Sequence, residues 1–443
     1  MEGLTMYFIA YTTQYRGGGD KFARAAMTLA RELKSRQPNA EVRVAAVERK
    51  ADFVRALRDI ASSAQRIEEL HFIGHSGMYG IMFGSTSWPE QLSPHEWRQL
   101  AIPFAPGARA YFHACRSARW FAPFFARTFG VTAYGHQGYT TVSLRRDRFV
   151  FEGLRPAPEA PLYLISVPGK KTHGLLGSVR KYALSPRAIP MVGTQPAPTP
   201  SIGYDAVAAA YDRAFSDIRV RRDEWRWLSR RLDLARRELG RPPRVLDLGC
   251  GNGALLWALR ERIACGAGVD ASVPMIEYAR RRARDENGLT FRVVKSPELP
   301  FEPGAFDVVI SLLSFRYLDW DPVLLEVARV LTPRGRLLVV DMVEKPLSAR
   351  DAPEFVRSLL THGARRLRER SFARDLRALT RHAAWQRMLE QNPIRAYHEY
   401  AFYLESRFPK GRLETLNVAR RARVVAFDSG PMTAAQISPS SYP

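Results

Sequence analysis

The sequence predicts two α/β domains in one chain, each a doubly wound parallel sheet with helices on its faces. Three observations carry this. At 443 residues the chain exceeds what one compact core usually holds. In each half, short apolar, β-branched or aromatic runs alternate with helical patterns. Between the halves, residues 186–203 are rich in proline and poor in periodicity, which suits an extended connector.

In the first domain, 1–185, strands are expected at 4–12 (LTMYFIAYT), 41–47 (EVRVAAV), 68–74 (EELHFIG) and 108–114 (ARAYFHA). Helical patterns fall at 20–36, 50–65, 93–101 and 117–129. Strand–helix alternation of this kind builds a parallel sheet. Shorter runs at 131–135 and 161–167 are expected to extend it.

The second domain, 204–430, repeats the logic. Helices at 204–216 and 221–239 precede strands at 244–248, 266–270, 290–294, 306–311 and 335–341. An Arg-rich, mostly helical stretch spans 351–407, and two strands within 411–430 read as a closing hairpin. The tail, 431–443, is expected to be disordered.

Composition narrows the functional classes. Hydrophobic residues at 46% and charged residues at 25% are ordinary for soluble globular protein. No apolar run approaches the roughly 20 residues that span a membrane. The start, MEGLTMYFIAYTT, lacks a basic n-region and reads as a first strand, not a signal peptide; a cytoplasmic protein is expected. Only Cys115, Cys250 and Cys265 occur, with no paired Cys/His spacing, so neither a disulfide framework nor a metal site is expected. The net charge of +23 invites a nucleic-acid reading. Its source is 58 Arg against 9 Lys, dispersed over the surfaces of predicted helices, which suits a solvated face better.

The densest motif is RVLDLGCGNGALL, Arg244 to Leu256. A buried strand runs into Gly249, Gly251 and Gly253 and then into a helix. Glycines let backbone turn sharply and approach a ligand closely. Asp270 ends the next strand, about 20 residues on, where a carboxylate can bind two ribose hydroxyls. Met275 follows on the first turn of a helix. With YDAVAAAYDRAF upstream, and LPFEPGAFDVVISLLSFRYLDW and LLEVARVLTPRGRLLVVDMV downstream, this region resembles the type 11 family of class I S-adenosylmethionine (SAM)-dependent methyltransferases. The resemblance covers roughly Tyr204 to Met342.

It implies a Rossmann-like domain with a helical lid and SAM as cofactor. It places Asp247, Gly249 and Gly251 at the methionine moiety, Asp270 on the ribose and Met275 beside the adenine. Ser311 becomes the cleft floor, and Tyr211 approaches SAM from the N-terminal helix. The family usually has Asp or Asn four residues before LPF to read the adenine amino group. Here Lys295 stands there and Ser296 follows, which makes Ser296 or a backbone group the candidate for that bond.

For the acceptor, the Asn/Asp-Pro-Pro-aromatic motif of DNA and protein amide N-methyltransferases is replaced by SLLSFRY, Ser311 to Tyr317. The Pro-Cys nucleophile of cytosine C5 enzymes is absent too. A small-molecule acceptor is therefore expected, with no nucleic acid and no membrane partner. The lid aromatics Trp385, Tyr397, Tyr400, Phe402 and Tyr403 are either pocket or core.

In the first domain, His75 follows the strand LHFIG and Cys115 follows AYFHA. On consecutive parallel strands both side chains would emerge at the carboxyl edge, where α/β folds place their sites. A Cys thiolate activated by His makes a nucleophile–base pair. Residues 1–166 resemble the caspase-like (caspase–hemoglobinase) peptidases on these motifs. That implies a Cys115/His75 dyad and a possible peptide substrate. The family usually has Gly directly after the His, whereas this chain reads His75-Ser76-Gly77. His113 and His136 are competing partners. A serine nucleophile elbow at Ser76 needs Gly two residues on, and position 78 is Met78.

Three functions follow: a small-molecule methyltransferase fused to a caspase-like domain, a cysteine peptidase with a regulatory SAM-binding module, or a basic nucleic-acid binder.

Overall fold

A computed structural model describes residues 5–432 apart from 78–79, 152, 154–156, 168–178, 180–186, 197–203, 285–286, 346, 349–350, 359–368, 392–393 and 420–421. The chain forms two compact units, Met1–Pro200 and Ser201–Pro443.

The first unit is built on β1 (Thr5–Thr12), β2 (Glu41–Val47), β3 (Arg66–Ile73), β8 (Phe104–His113), β9 (Thr132–Gly135) and β12 (Val192–Thr194). Two-residue pairs, β4 (Ser76–Gly77) with β5 (Gly80–Ile81) and β6 (Phe83–Gly84) with β7 (Pro89–Glu90), lie between β3 and β8. The sheet order is β12-β9-β8-β3-β1-β2, parallel except for β12. β1 is buried on both faces, which explains its unbroken apolar run. Tyr7 and Ile9 pack under α1 (Gly19–Arg36). Phe8, Phe72 and Phe112 face α2 (Lys50–Ser62), α3 (Pro94–Gln99) and α4 (Phe121–Phe129). The α3 start is fixed by a reciprocal cap: Glu96 N–H donates to Ser93 Oγ at 3.2 Å, and Ser93 N–H to Glu96 Oε2 at 2.7 Å.

Two expectations are corrected. The run at 161–167 does not extend the main sheet. As β11 (Tyr163–Ser166) it pairs antiparallel with β10 (Thr140–Ser143) in a separate two-stranded sheet, where Val142 and Leu164 join the α1 cluster. The expected connector also contributes structure: Val192–Thr194 add the antiparallel edge to β9, and Gly193 leaves room for the Tyr134 ring.

In the second unit β13 (Arg244–Leu248), β14 (Cys265–Asp270), β15 (Leu289–Val293), β16 (Phe306–Leu312), β18 (Leu413–Val418) and β19 (Ala422–Asp428) follow the expected strands closely, whereas β17 (Leu331–Glu344) extends beyond the expected 335–341 at both ends. Their order is β15-β14-β13-β16-β17-β19-β18, with β19 antiparallel to both neighbours. The order reverses between β13 and β16, so the cleft opens beyond their carboxyl ends.

Below that cleft, Asp307 staples the sheet's opposite end. Its carboxylate accepts both Arg241 terminal nitrogens, at 2.8 and 2.9 Å, and Arg244 N–H at 2.9 Å. These partners hold its carboxyl well below the usual range, against the opposing cost of burial. The lid helices Arg370–Arg381 and Ala383–Gln391 pack through Leu379, Ala384 and Trp385 onto the helix Ala208–Ala214. The tail expected to be disordered from Pro431 is ordered at its start: Met432 is buried, and its N–H donates to the Gly335 carbonyl at 2.9 Å. Residues 433–443 lie outside the described residues.

Candidate functional site

Gly249 and Gly251 both have left-handed backbone, with φ of 73° and 52°. Gly249 has no alternative: a Cβ there would lie 2.4 Å from Ser314 Cβ. Ser314 and Ser311 both donate to the Leu248 carbonyl, so the loop after β16 is knitted under the glycine loop. Ser311 is fully buried and is spent on this support. Above Gly251 the nearest atom to such a Cβ is Tyr211 Cε1 at 3.7 Å, which leaves an open cradle beneath that ring.

Asp270 lies across the loop. Its Oδ2 accepts Gly251 N–H and its Oδ1 accepts Ser272 N–H, each at 2.9 Å. Burial raises its carboxyl, and these two N–H donors oppose the shift. Met275 is buried at the start of the helix Val273–Arg282, whose N-cap Ser272 accepts its N–H at 3.4 Å. Asp247, at the end of β13, is 1% exposed, and among the described residues neither carboxylate oxygen has a hydrogen-bond partner. Burial, with the Asp270 charge beside it, pushes its carboxyl up to about 8. Cys250 is buried and its thiol is pushed well up, so it offers no nucleophile at neutral pH.

Ser296 is exposed on the segment after β15. Two residues earlier, Val294 N–H donates to the Asp270 carbonyl at 3.0 Å. The structure therefore brings Tyr211, Asp247, Gly249, Gly251, Asp270 and Met275 together around the glycine loop, with Ser311 supporting that loop through Leu248; for Ser296 it shows an exposed side chain and no contact with these residues among the described ones.

The residues fit SAM on two observations. An orphaned buried carboxylate sits where a cationic amino group needs one, and a bare backbone cradle lies beside a second carboxylate. Sequence reasoning missed the support of this loop. Asn252 Nδ2 donates to Asp212 Oδ1 at 2.8 Å, and Arg282 reaches the same oxygen at 2.9 Å. Asp212 stands next to Tyr211 in the quoted motif, and that adjacency was the available signal. Also missed was the Arg316–Asp341 pair at 2.8 Å, which holds Tyr317 beside Tyr204. The lid aromatics divide. Trp385 lies 5.9 Å from the Tyr204 ring, whereas Tyr400 and Tyr403 belong to the core.

The strand order, the glycine loop and its two carboxylates define a class I SAM-dependent methyltransferase domain in the C-terminal unit, with SAM as its cofactor. Residues 245–335 match the family described as a methyltransferase domain. A demethylmenaquinone methyltransferase of Thermus thermophilus is 42% identical over 130 residues, covering 28% of this chain and 57% of that protein. A fatty-acid O-methyltransferase of Mycolicibacterium smegmatis is 38% identical over 119 residues, covering 26% and 42%. A SAM-dependent methyltransferase structure from Mesorhizobium loti is 28% identical, covering 23% and 48%, with a TM-score of 0.22. The chain spans about half the length of the curated relatives it matches.

In the first unit, β3 and β8 pair Ile73 with His113, so His75 and Cys115 are level two residues past the strand ends. Ser76 Oγ donates to the Cys115 carbonyl and ties the two ends together. The side chains themselves are engaged elsewhere. His75 Nε2 bonds to the Gly17 carbonyl at 3.2 Å, and its ring sits between Tyr15 and Phe22. Burial lowers its pKa, with the Gly17 carbonyl opposing. The Cys115 thiol accepts Thr140 N–H at 3.3 Å and shares a hydrogen bond with Thr140 Oγ1 at 3.2 Å. Among the described residues no hydrogen bond joins imidazole to thiol.

His113 bonds to His71 at 3.2 Å on the α1 face. His136 is buried, with neither ring nitrogen bonded to any described residue. Among the described residues no group of three or more His, Cys, Asp or Glu could hold a metal, and no helix is long and apolar enough to cross a membrane.

Proposed function

We propose that the chain is a SAM-dependent methyltransferase acting on a small-molecule acceptor, joined to a caspase-like N-terminal domain. The observation that carries the first part is the buried, unpartnered Asp247 carboxylate beside the Gly249–Gly251 loop and Asp270. When bound, SAM supplies an electrophilic methyl group. The chain holds the cofactor: Asp247 takes its amino group, Asp270 its ribose hydroxyls, and Gly249 and Gly251 offer backbone without a Cβ between. Met275 flanks the adenine, and Ser296 or its backbone takes the adenine amino group. Tyr211 and the lid exclude water, which a displacement at carbon needs more than it needs a base.

The acceptor reading rests on SLLSFRY in place of nucleobase-directed motifs, and on a lid that covers the N-terminal helix. The named relatives, a demethylmenaquinone and a fatty-acid methyltransferase, support a small organic acceptor. Calorimetric titration with SAM and S-adenosylhomocysteine tests the cofactor part. Saturable one-to-one binding is expected, and no heat of binding would refute it.

A second reading concerns the first unit and is favoured by one observation, the level placement of His75 and Cys115 at neighbouring strand ends. We propose a caspase-like domain with Cys115 as nucleophile and His75 as its base after the ring turns from Gly17. A peptide is then the substrate. A fluorogenic peptide panel with wild type and Cys115→Ala tests it: cleavage lost in the variant supports the dyad, and no cleavage by wild type refutes it.

A further inference from the structure

The loop after β16 carries a hydrogen-bond chain that cofactor binding does not use. Asp341 is fully buried and accepts four donors: Arg316 N–H and Nη1, each at 2.8 Å, Tyr400 O–H at 2.6 Å and Met342 N–H at 2.7 Å. This fills the carboxylate and fixes the guanidinium. Arg316 Nη2 then donates to the Tyr317 phenol oxygen at 2.8 Å, and Tyr204 O–H donates to the same oxygen at 3.3 Å. Both lone pairs of Tyr317 are taken, which leaves its own O–H to donate. Among the described residues no acceptor takes that hydrogen.

The place matters as much as the vacancy. Ser314, three residues earlier, lies beneath Gly249, and Leu313 before it has φ of 59°, a strained value for a leucine. The Tyr204 ring meets Tyr211 edge-on at 5.8 Å, and Tyr211 faces Gly251. Trp385 from the lid stands 5.9 Å from Tyr204. Tyr317 thus belongs to the cleft between the glycine loop and the lid.

We propose that Tyr317 binds the methyl acceptor by donating its O–H to an anionic oxygen of that molecule, a carboxylate, enolate or phenolate. Arg316 is a positioning residue. A phenol that accepts from a guanidinium is a stronger donor, and such a donor gains most from a charged oxygen. The proposal rests on the methyltransferase reading of the same cleft.

The test uses the full chain saturated with S-adenosylhomocysteine and two matched probe pairs, laurate with methyl laurate and a hydroxynaphthoquinone anion with its methyl ether. In at least one pair the anion should bind about tenfold or more tightly than its neutral partner, the strength of a charge-assisted hydrogen bond. Tyr317→Phe should erase that preference and leave S-adenosylhomocysteine affinity unchanged. Equal binding of anion and neutral partner in both pairs, binding of neither anion, or a preference that survives Tyr317→Phe would overturn the proposal. Failure of the wild type to bind S-adenosylhomocysteine would instead remove the reading beneath it, and this assignment with it.

Discussion

The Gly251 N–H donates to the Asp270 carboxylate at 2.9 Å, so the glycine loop and this carboxylate are one mechanical unit. Removing the carboxylate unclamps the loop and, on the proposed cofactor pose, also takes away the ligand for two ribose hydroxyls.

Asp270→Ala should therefore weaken SAM binding by about 2–3 kcal/mol, the worth of charge-assisted bonds lost at a buried site. Calorimetry on wild type and variant measures this. Wild-type affinity in the variant would remove Asp270 from the site.

Asp247 gives a pH signature. Its carboxyl is raised to about 8 in the folded protein, above the roughly 3.9 of an unfolded chain. Between these values the folded state holds the extra proton, so free-protein stability falls as pH rises through that window. Asp247→Asn should flatten this dependence in denaturant melts across pH. SAM binding should release a proton near neutral pH as the carboxyl ionises against the cofactor's amino group. Calorimetry in buffers of different ionisation enthalpy should detect this in wild type and not in Asp247→Asn.

Asp307 has the opposite sign. Its folded pKa is depressed by Arg241 and Arg244, so its contribution is present above the unfolded carboxylate value and is lost as pH falls below it. Asp307→Asn should cost about 1–2 kcal/mol at neutral pH, discounted because the Arg241 side chain is 46% exposed. Chemical denaturation at neutral and acidic pH should show the two proteins converging at low pH.

Cys115 should alkylate faster than Cys250, which is buried and has a raised thiol pKa. Cys115 is only partly buried, and Thr140 N–H donates to its sulfur. Mass-spectrometric labelling with iodoacetamide across pH decides this, with His75→Ala alongside. Slower labelling in that variant supports a dyad. Unchanged labelling would contradict it.

Much of the second unit was legible because its signals are local. RVLDL is a buried strand by composition, the glycines follow it directly, and Asp270 ends the next strand. Ser311 reads as cleft floor; in the structure it is fully buried and its hydroxyl donates to the Leu248 carbonyl. The acceptor side was not legible, because its pairs are tertiary. Asp341 meets Arg316 and Tyr400 across 25 and 59 residues, and Arg316 reads as one arginine among 58. Tyr400 and Tyr403 read as candidate pocket residues on a stripe that is more often core, and the sheet beneath their helix assigns them to the core. In the first unit a three-residue strand among prolines, Val192–Thr194, carries too short a pattern to separate from a connector.

The central claim is methyl transfer to a small molecule, and methyl-labelled SAM tests it most directly. The full chain is incubated with labelled SAM and, in parallel, with a bacterial metabolite extract, DNA and RNA. The account predicts label in a low-molecular-weight organic product, lost in Asp270→Ala and unaffected by Cys115→Ala. Label transferred to DNA or RNA, or no transfer to the extract by a protein that binds SAM, would contradict it.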